Sequence, residues 1–177
     1  MTDPSAPLVR DAVEADLSAI TEIYAAEVRT GLASFELEPP PLEEMARRRG
    51  DLIAQGFPYL SAELDGRVAG YAYAGPYRPR PAYRFTVENS IYVAAWARRR
   101  GVARALLEAL IARCEAMGKR QMMAVISGGP ASVALHVAAG FEHAGRARAV
   151  GWKFERWVDV VTMQRALGPG ADQPAPR

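Results

Sequence analysis

The sequence predicts an α/β domain built on a mixed, twisted β-sheet with helices on both faces. Three observations carry this. Apolar, β-rich segments flank Asp65-Gly66, a dipeptide that closes a two-residue hairpin and so demands antiparallel neighbours. Further on, a strand near Phe85–Ala94, a long amphipathic helix and a strand near Met122–Ile126 follow one another, the order of a parallel crossover. The whole chain reads β-α-α-β-β-β-α-β-α-β-β, which mixes both connection types in one sheet.

Leu8 to Val13 reads as a short strand. Asp16 is placed to cap a helix that carries Leu17, Ile20, Tyr24 and Val28 on one face, at spacings of three and four. Gly31–Pro41 is a loop, closed by three prolines that have no N–H to give to a ladder. Leu42 to Gln55 returns to helical spacing despite Gly50, a residue that weakens helices. Tyr59 to Leu64 and Val68 to Ala74 are the hairpin strands. The long helix runs from about Arg100 to Met117 and stops at Gly118, a residue free to take the left-handed conformation after a helix. Gly128-Gly129-Pro130 opens a further helix that reaches Ala139 before Gly140. Two strands finish the chain, near Glu142 to Val150 and near Phe154 to Met163, with Gly151-Trp152-Lys153 expected to connect them.

A length of 177 residues suits one domain, expected over 8–167, with proline- and glycine-broken tails at 1–7 and 168–177. Half of the residues are hydrophobic, enough for a sizeable core. The formal charge, 22 − 20 = +2, is too small to argue for a nucleic-acid partner. Of the 22 cationic side chains 20 are arginine, so an arginine cluster needs an argument beyond its charge. Cys114 is the only cysteine, which leaves no disulfide and no Cys/His zinc set, and no metal is expected. It shares a helix face with Leu106, Leu110 and Met117 and is expected in the core. The first seven residues lack the basic and apolar regions of a secretory signal, and no apolar run approaches the ~20 residues that span a bilayer. No membrane partner and a cytoplasmic location are expected.

The sharpest local signal is Ile91-Tyr92-Val93 followed by Arg98-Arg99-Arg100-Gly101-Val102-Ala103-Arg104 and a helix. A strand running through a tight turn into a helix presents unpaired N–H groups at the positive end of the helix dipole, which is an anion site. Gly101 and Ala103 let a diphosphate approach the backbone, and neighbouring guanidinium groups add charge-assisted bonds. An arginine-rich helix start in a high-arginine chain is the competing reading. With no Gly-Lys-Ser/Thr there is no Walker loop, and with no Gly-x-Gly-x-x-Gly there is no Rossmann site.

In this segment the chain resembles the GNAT acetyltransferases, whose pyrophosphate loop has the form Gln/Arg-x-x-Gly-x-Gly/Ala. Arg98, Gly101 and Ala103 stand at those places, and Ser132-x-x-Leu135-His136-x-x-x-Gly140-Phe141 follows where that family has it. The resemblance implies the GNAT acyl-CoA N-acyltransferase fold and acetyl-CoA as co-substrate. It implies cofactor contacts from Ile91, Tyr92, Val93, Arg98, Arg99, Arg100, Gly101, Val102, Ala103, Arg104 and Ser132.

Longer strings resemble one branch, the phosphinothricin and methionine sulfone/sulfoximine acetyltransferases. They are Thr30…Ser34-Phe35-Glu36, Tyr71-Ala72-Tyr73-Ala74-Gly75-Pro76, Ala82 through Val93, and Gly151-Trp152-Lys153…Trp157-x-Asp159-Val160, together spanning roughly 8–165. That branch implies transfer of acetyl to the amine of a small amino-acid-like substrate, with Glu88 of Thr86-Val87-Glu88 as general base. A carboxylate suits the task, because an ammonium must lose a proton before it attacks a thioester. A solvent-facing strand glutamate is the alternative. Arg78 and Arg80 are candidates for the substrate carboxylate, with Tyr83 and Phe35 as pocket walls, although a plain solvated loop is also open. Thr86 projects on the same strand face as Glu88. Relatives in this branch are commonly homodimers, so a homodimer is expected. Two places depart from the family pattern: Gly129 stands where an asparagine usually meets the pantetheine, and His136 where many relatives carry a tyrosine acid. Acetylation of a protein N-terminus or lysine, and a non-catalytic acetyl-CoA sensor, are the competing functions.

Overall fold

A computed structural model describes residues 6–174, and the outermost parts of the expected tails, 1–5 and 175–177, lie outside them. One seven-stranded sheet runs through the molecule: β1 (Leu8–Asp11), β2 (Tyr59–Leu64), β3 (Arg67–Pro76), β4 (Thr86–Val93), β5 (Gln121–Ile126), β6 (Glu142–Lys153) and β7 (Arg156–Ala166). Its spatial order is β1-β2-β3-β4-β5-β7-β6, with β4–β5 parallel and every other pair antiparallel. The helices are α1 (Leu17–Thr30), α2 (Leu42–Ala54), α3 (Val102–Ala116) and α4 (Pro130–Ala138). The expected element order and mixed sheet are therefore present. Residues 168–174 form turns beyond the last strand.

The two faces of the sheet have different chemistry. Tyr59, Tyr71, Tyr73 and Tyr92 lie on one face, stacked with ring centroids as close as 5.2 Å, and Tyr24 of α1 meets Tyr92 edge-on at 5.0 Å. Helices α1 and α2 cover this side. On the other face Gly70 lets α3 approach: a side chain there would fall 3.1 Å from Val102 and 2.8 Å from the carbonyl of Tyr92. Leu106, Leu107, Leu110 and Cys114 of α3 are fully buried in this layer. Burial pushes the Cys114 thiol up to about 12, so it is a core group and not a nucleophile.

The β2–β3 turn has the form expected, with Asp65 and Gly66 both at positive φ, 53° and 71°. Gly118 ends α3 at φ 73°. Two expectations are corrected. Asp16 does not cap α1; it ends a short 3-10 turn, Glu14–Asp16, and is buried. Its carboxylate accepts from Arg10 at 2.6 and 2.9 Å, the N–H of Val13 at 2.9 Å and Ser61 Oγ at 3.0 Å, joining β1 to β2. The last hairpin turns at Phe154-Glu155, both at positive φ, and Gly151-Trp152-Lys153 belongs to β6. Here Trp152 opposes Trp157 with centroids 5.2 Å apart, and this cross-strand pair sets the register past the glycine.

Candidate active site

Strands β4 and β5 pair only from Thr86↔Gln121 to Asn89↔Ala124. Beyond that point Ser90–Val93 and Val125–Ile126 separate and open a cleft of about 980 Å³. Since β3 occupies the other edge of β4 through Val93, the groups freed by the separation face the cleft. They offer an extended acyl-amide chain the pairing of a missing strand. The remaining walls come from the N-terminus of α3, from Ser132 and His136 of α4, and from Leu32, Ala33 and Phe35 between α1 and α2.

One end of the cleft has the geometry that suits an anion: a tight turn leading into a helix N-terminus. Arg99 and Gly101 both take positive φ, 65° and 81°, which folds the turn tightly against the start of α3. A side chain added at Gly101 would meet nothing within 4 Å, so the backbone conformation, not crowding, demands glycine. The first helical bond is Ala105 N–H to Gly101 O at 3.0 Å, which leaves the N–H groups of Val102, Ala103 and Arg104 unpaired within the helix. Arg98, Arg99 and Arg104 border the cleft. Arg100 does not line it, and its guanidinium bonds Asp65 of the β2–β3 turn at 2.8 Å.

Glu88 stands on β4 where the strands part, on the face toward α1 and α2. Burial raises its pKa above the ordinary glutamate value, and the positive charge of Arg78 partly opposes that shift. Arg78 lies over the ring of Tyr77 at 4.3 Å and bonds the Tyr77 carbonyl at 3.0 Å. Phe35 and Glu88 share the cleft, together with Ile91, Tyr92, Val93 and Ser132. Thr86, Arg78, Arg80 and Tyr83 lie outside its wall; Tyr83 is exposed and packs edge-on against Tyr77 at 5.6 Å.

Asn89 faces the opposite way from Glu88 and meets α4. Its Nδ2 donates to Met123 O at 3.0 Å, which assigns Oδ1 as the atom 3.1 Å from His136 Nε2. His136 Nδ1 is 2.8 Å from the carbonyl of Ser132, so both ring nitrogens face acceptors. Burial pushes the imidazole pKa down while the Ser132 carbonyl pulls it up. The ring is a bonded helix residue wedged against Phe141 at 4.9 Å. Among the described residues no group of three or more His, Cys, Asp or Glu side chains is placed to hold a metal.

The sequence pattern of the Acetyltransferase (GNAT) family matches residues 18–141, which hold β4, the anion turn, α3, β5 and α4. The chain belongs to the GNAT acetyltransferase family. It is similar to the phosphinothricin N-acetyltransferase of Alcaligenes faecalis, 54% identical over 92% of this chain and 83% of the relative. Its likeness to the L-methionine sulfoximine/L-methionine sulfone acetyltransferase of Pseudomonas aeruginosa is 40%, over 94% of this chain and 98% of that one. Among solved structures, a phosphinothricin acetyltransferase from Sinorhizobium meliloti in complex with acetyl-CoA superposes with a TM-score of 0.95. That match is 48% identical and covers 97% of this chain and 94% of the other.

Several wall residues of this acetyltransferase had no assigned role in the sequence: Asn89, Leu32, Ala33, Arg156 and Val160. For Asn89 a signal existed, because an amide at an inward strand position needs a buried partner, and its partner is His136. Gly129, in place of the usual asparagine, takes φ 92° and ψ −172°, a conformation open essentially to glycine alone. It begins α4 with its backbone and contributes no side chain.

Proposed function

We propose that this acetyltransferase moves the acetyl group of acetyl-CoA to the amine of a small amino-acid-like substrate of the phosphinothricin or methionine sulfone/sulfoximine type. Transfer is direct, with Glu88 as general base. The observation that carries the reading is a half-buried carboxylate of raised proton affinity at the point where β4 and β5 part. The names of the relatives support the substrate class.

The cleft fits acetyl-CoA on its own features: an anion turn at one end, unpaired strand edges along its length, and Glu88 beyond them. Val102, Ala103 and Arg104 N–H groups hold the diphosphate, assisted by Arg98 and Arg99, and Ser90–Val93 line the pantetheine arm. When bound, acetyl-CoA supplies an activated thioester. Glu88 takes a proton from the substrate ammonium, directly or through one water, and leaves a lone pair on nitrogen. A thiol of pKa ~8.5 leaves as thiolate with little help, so His136 is not required as an acid. Arg78 is the favoured partner of the substrate carboxylate because its charge already reaches Glu88. Arg80, Tyr83 and Thr86 complete the substrate side of this reading from the adjoining loop and strand.

A homodimer in the cytoplasm belongs to the same reading. The exposed Val150, Trp152, Phe154 and Trp157 at the β6–β7 end supply an apolar surface for a second copy, checked by sedimentation. The deciding experiment is acetyl-CoA turnover with methionine sulfone, phosphinothricin, polyamines and short peptides. Activity on the first two is expected. Turnover of peptides alone would move the assignment to protein acetylation, and acetyl-CoA binding without turnover of any amine would make the protein a sensor.

A further inference from the structure

Lys153 is an ammonium on the outermost strand of the sheet, yet it is only 3% exposed. A buried charge is costly unless something in the fold uses it. Its Nζ donates to the main-chain oxygen of Ser34 at 2.7 Å, a contact across 119 positions of sequence. Two residues earlier on β6, Gly151 lies directly under Phe35. A methyl group there would sit 2.4 Å from the Phe35 ring, inside any real contact. Lys153 and Gly151 are thus buried on the inward phase of β6, whereas Val150, Trp152 and Phe154 are exposed.

Ser34 and Phe35 belong to the segment joining α1 to α2, whose Leu32, Ala33 and Phe35 line the cleft that Glu88 also borders. That segment has no helix or strand of its own and is held by side chains from elsewhere. Glu27 accepts the N–H of Ala33 at 3.0 Å, Ser127 donates to Leu32 O at 2.5 Å, and Tyr24 meets Ser34 Oγ at 2.9 Å. Arg48 of α2 holds Glu36 at 2.6 Å. These bonds fasten the residues on either side of Phe35. From β6, Gly151 seats the Phe35 ring and Lys153 holds the carbonyl of its neighbour Ser34.

We infer that Gly151 and Lys153 are positioning residues that set the height of Phe35 in the cleft it shares with Glu88 and so select which amine side chains enter. Neither needs to touch the substrate. Glycine provides the seat because no other residue leaves room for the ring. Lysine provides the tether because its four-carbon stem reaches the Ser34 carbonyl and ends in a charge that makes the bond strong. The inference rests on the reading of Glu88 as general base with Phe35 as a wall of the amine pocket.

The test uses Lys153→Met, which keeps the stem and removes the ammonium, and Gly151→Ala, with the amine that the turnover screen identifies. Each variant is expected to raise the amine KM about ten-fold or more and to change the preference between that amine and a bulkier aromatic amino acid. The acetyl-CoA KM should hardly move. Phe35→Leu removes the atoms that a Gly151 methyl would strike, so Gly151→Ala should cost several-fold less in that background. Unchanged amine KM and preference in both variants, with only a lowered Tm, would overturn the assignment. So would a Gly151→Ala defect that is the same with Phe35 or Leu at position 35. A failure of the Glu88 reading shows separately, as normal kcat in Glu88→Gln, and leaves these comparisons readable.

Discussion

Asn89 Oδ1 and His136 Nε2 meet 3.1 Å apart and join β4 to α4 at the place where β4 leaves β5. The same Asn89 amide bonds Met123 O, so one side chain closes the sheet on one side of the cleft and braces its wall on the other. Asn89→Ala removes a donor from the Met123 carbonyl and leaves the buried Nε2 of His136 without this partner. An expected loss of ~1–3 kcal/mol follows from the buried polar group left without its partner, together with a raised acetyl-CoA KM. Urea unfolding and steady-state kinetics check both.

Glu88→Gln is expected to lower kcat by ~10²–10⁴ while acetyl-CoA affinity survives. The defect should shrink as pH rises, because more amine then arrives already deprotonated. Folding raises the Glu88 pKa, so its contribution favours the folded form below the ordinary glutamate value. That contribution is lost as pH rises through the raised value. Glu88→Gln should accordingly show a higher Tm than the native protein at neutral pH, with the difference fading in acid. Thermal melts across pH measure it, and an unchanged kcat at neutral pH would remove Glu88 as the base.

Arg78 and Arg80 separate by a pH experiment. Either alanine variant should raise the amine KM about ten-fold if its guanidinium holds the substrate carboxylate. Arg78 also lowers the Glu88 pKa, so Arg78→Ala should move the acid limb of kcat/KM to higher pH. Arg80→Ala should leave that limb in place. The acetyl-CoA KM should hardly move in either. If both variants keep the native amine KM, the carboxylate is held elsewhere.

Gly101 takes φ 81° at the start of α3, and aspartate there adds backbone strain and a negative charge in front of the anion site. Gly101→Asp is expected to abolish measurable acetyl-CoA binding in calorimetry while circular dichroism still reports a folded protein. Normal affinity in a folded Gly101→Asp protein would move the diphosphate away from this turn.

What the sequence determined by itself is whatever local chemistry decides. Asp65-Gly66 adopts positive φ at both positions, Gly118 stops α3, and Gly101 at positive φ opens α3 directly after the arginine run, each from a few adjacent residues. The element order and the place of Glu88 beside Ile91–Val93 followed from spacing. Tertiary structure decided the rest, because the contacts involved join distant parts of the chain. Asp16, suited as a helix cap, is taken by Arg10 and Ser61 instead. Arg100, one of three consecutive arginines, is drawn off by Asp65, which no periodicity distinguishes from its neighbours. Gly151 looks like a turn residue, yet it lies within β6 because Trp152 pairs with Trp157 and the ring of Phe35 needs the space that only glycine leaves. Lys153 reads as a surface cation until the fold carries β6 up to the segment between α1 and α2. There, among the described residues, that lysine is the hydrogen-bond partner of the Ser34 carbonyl.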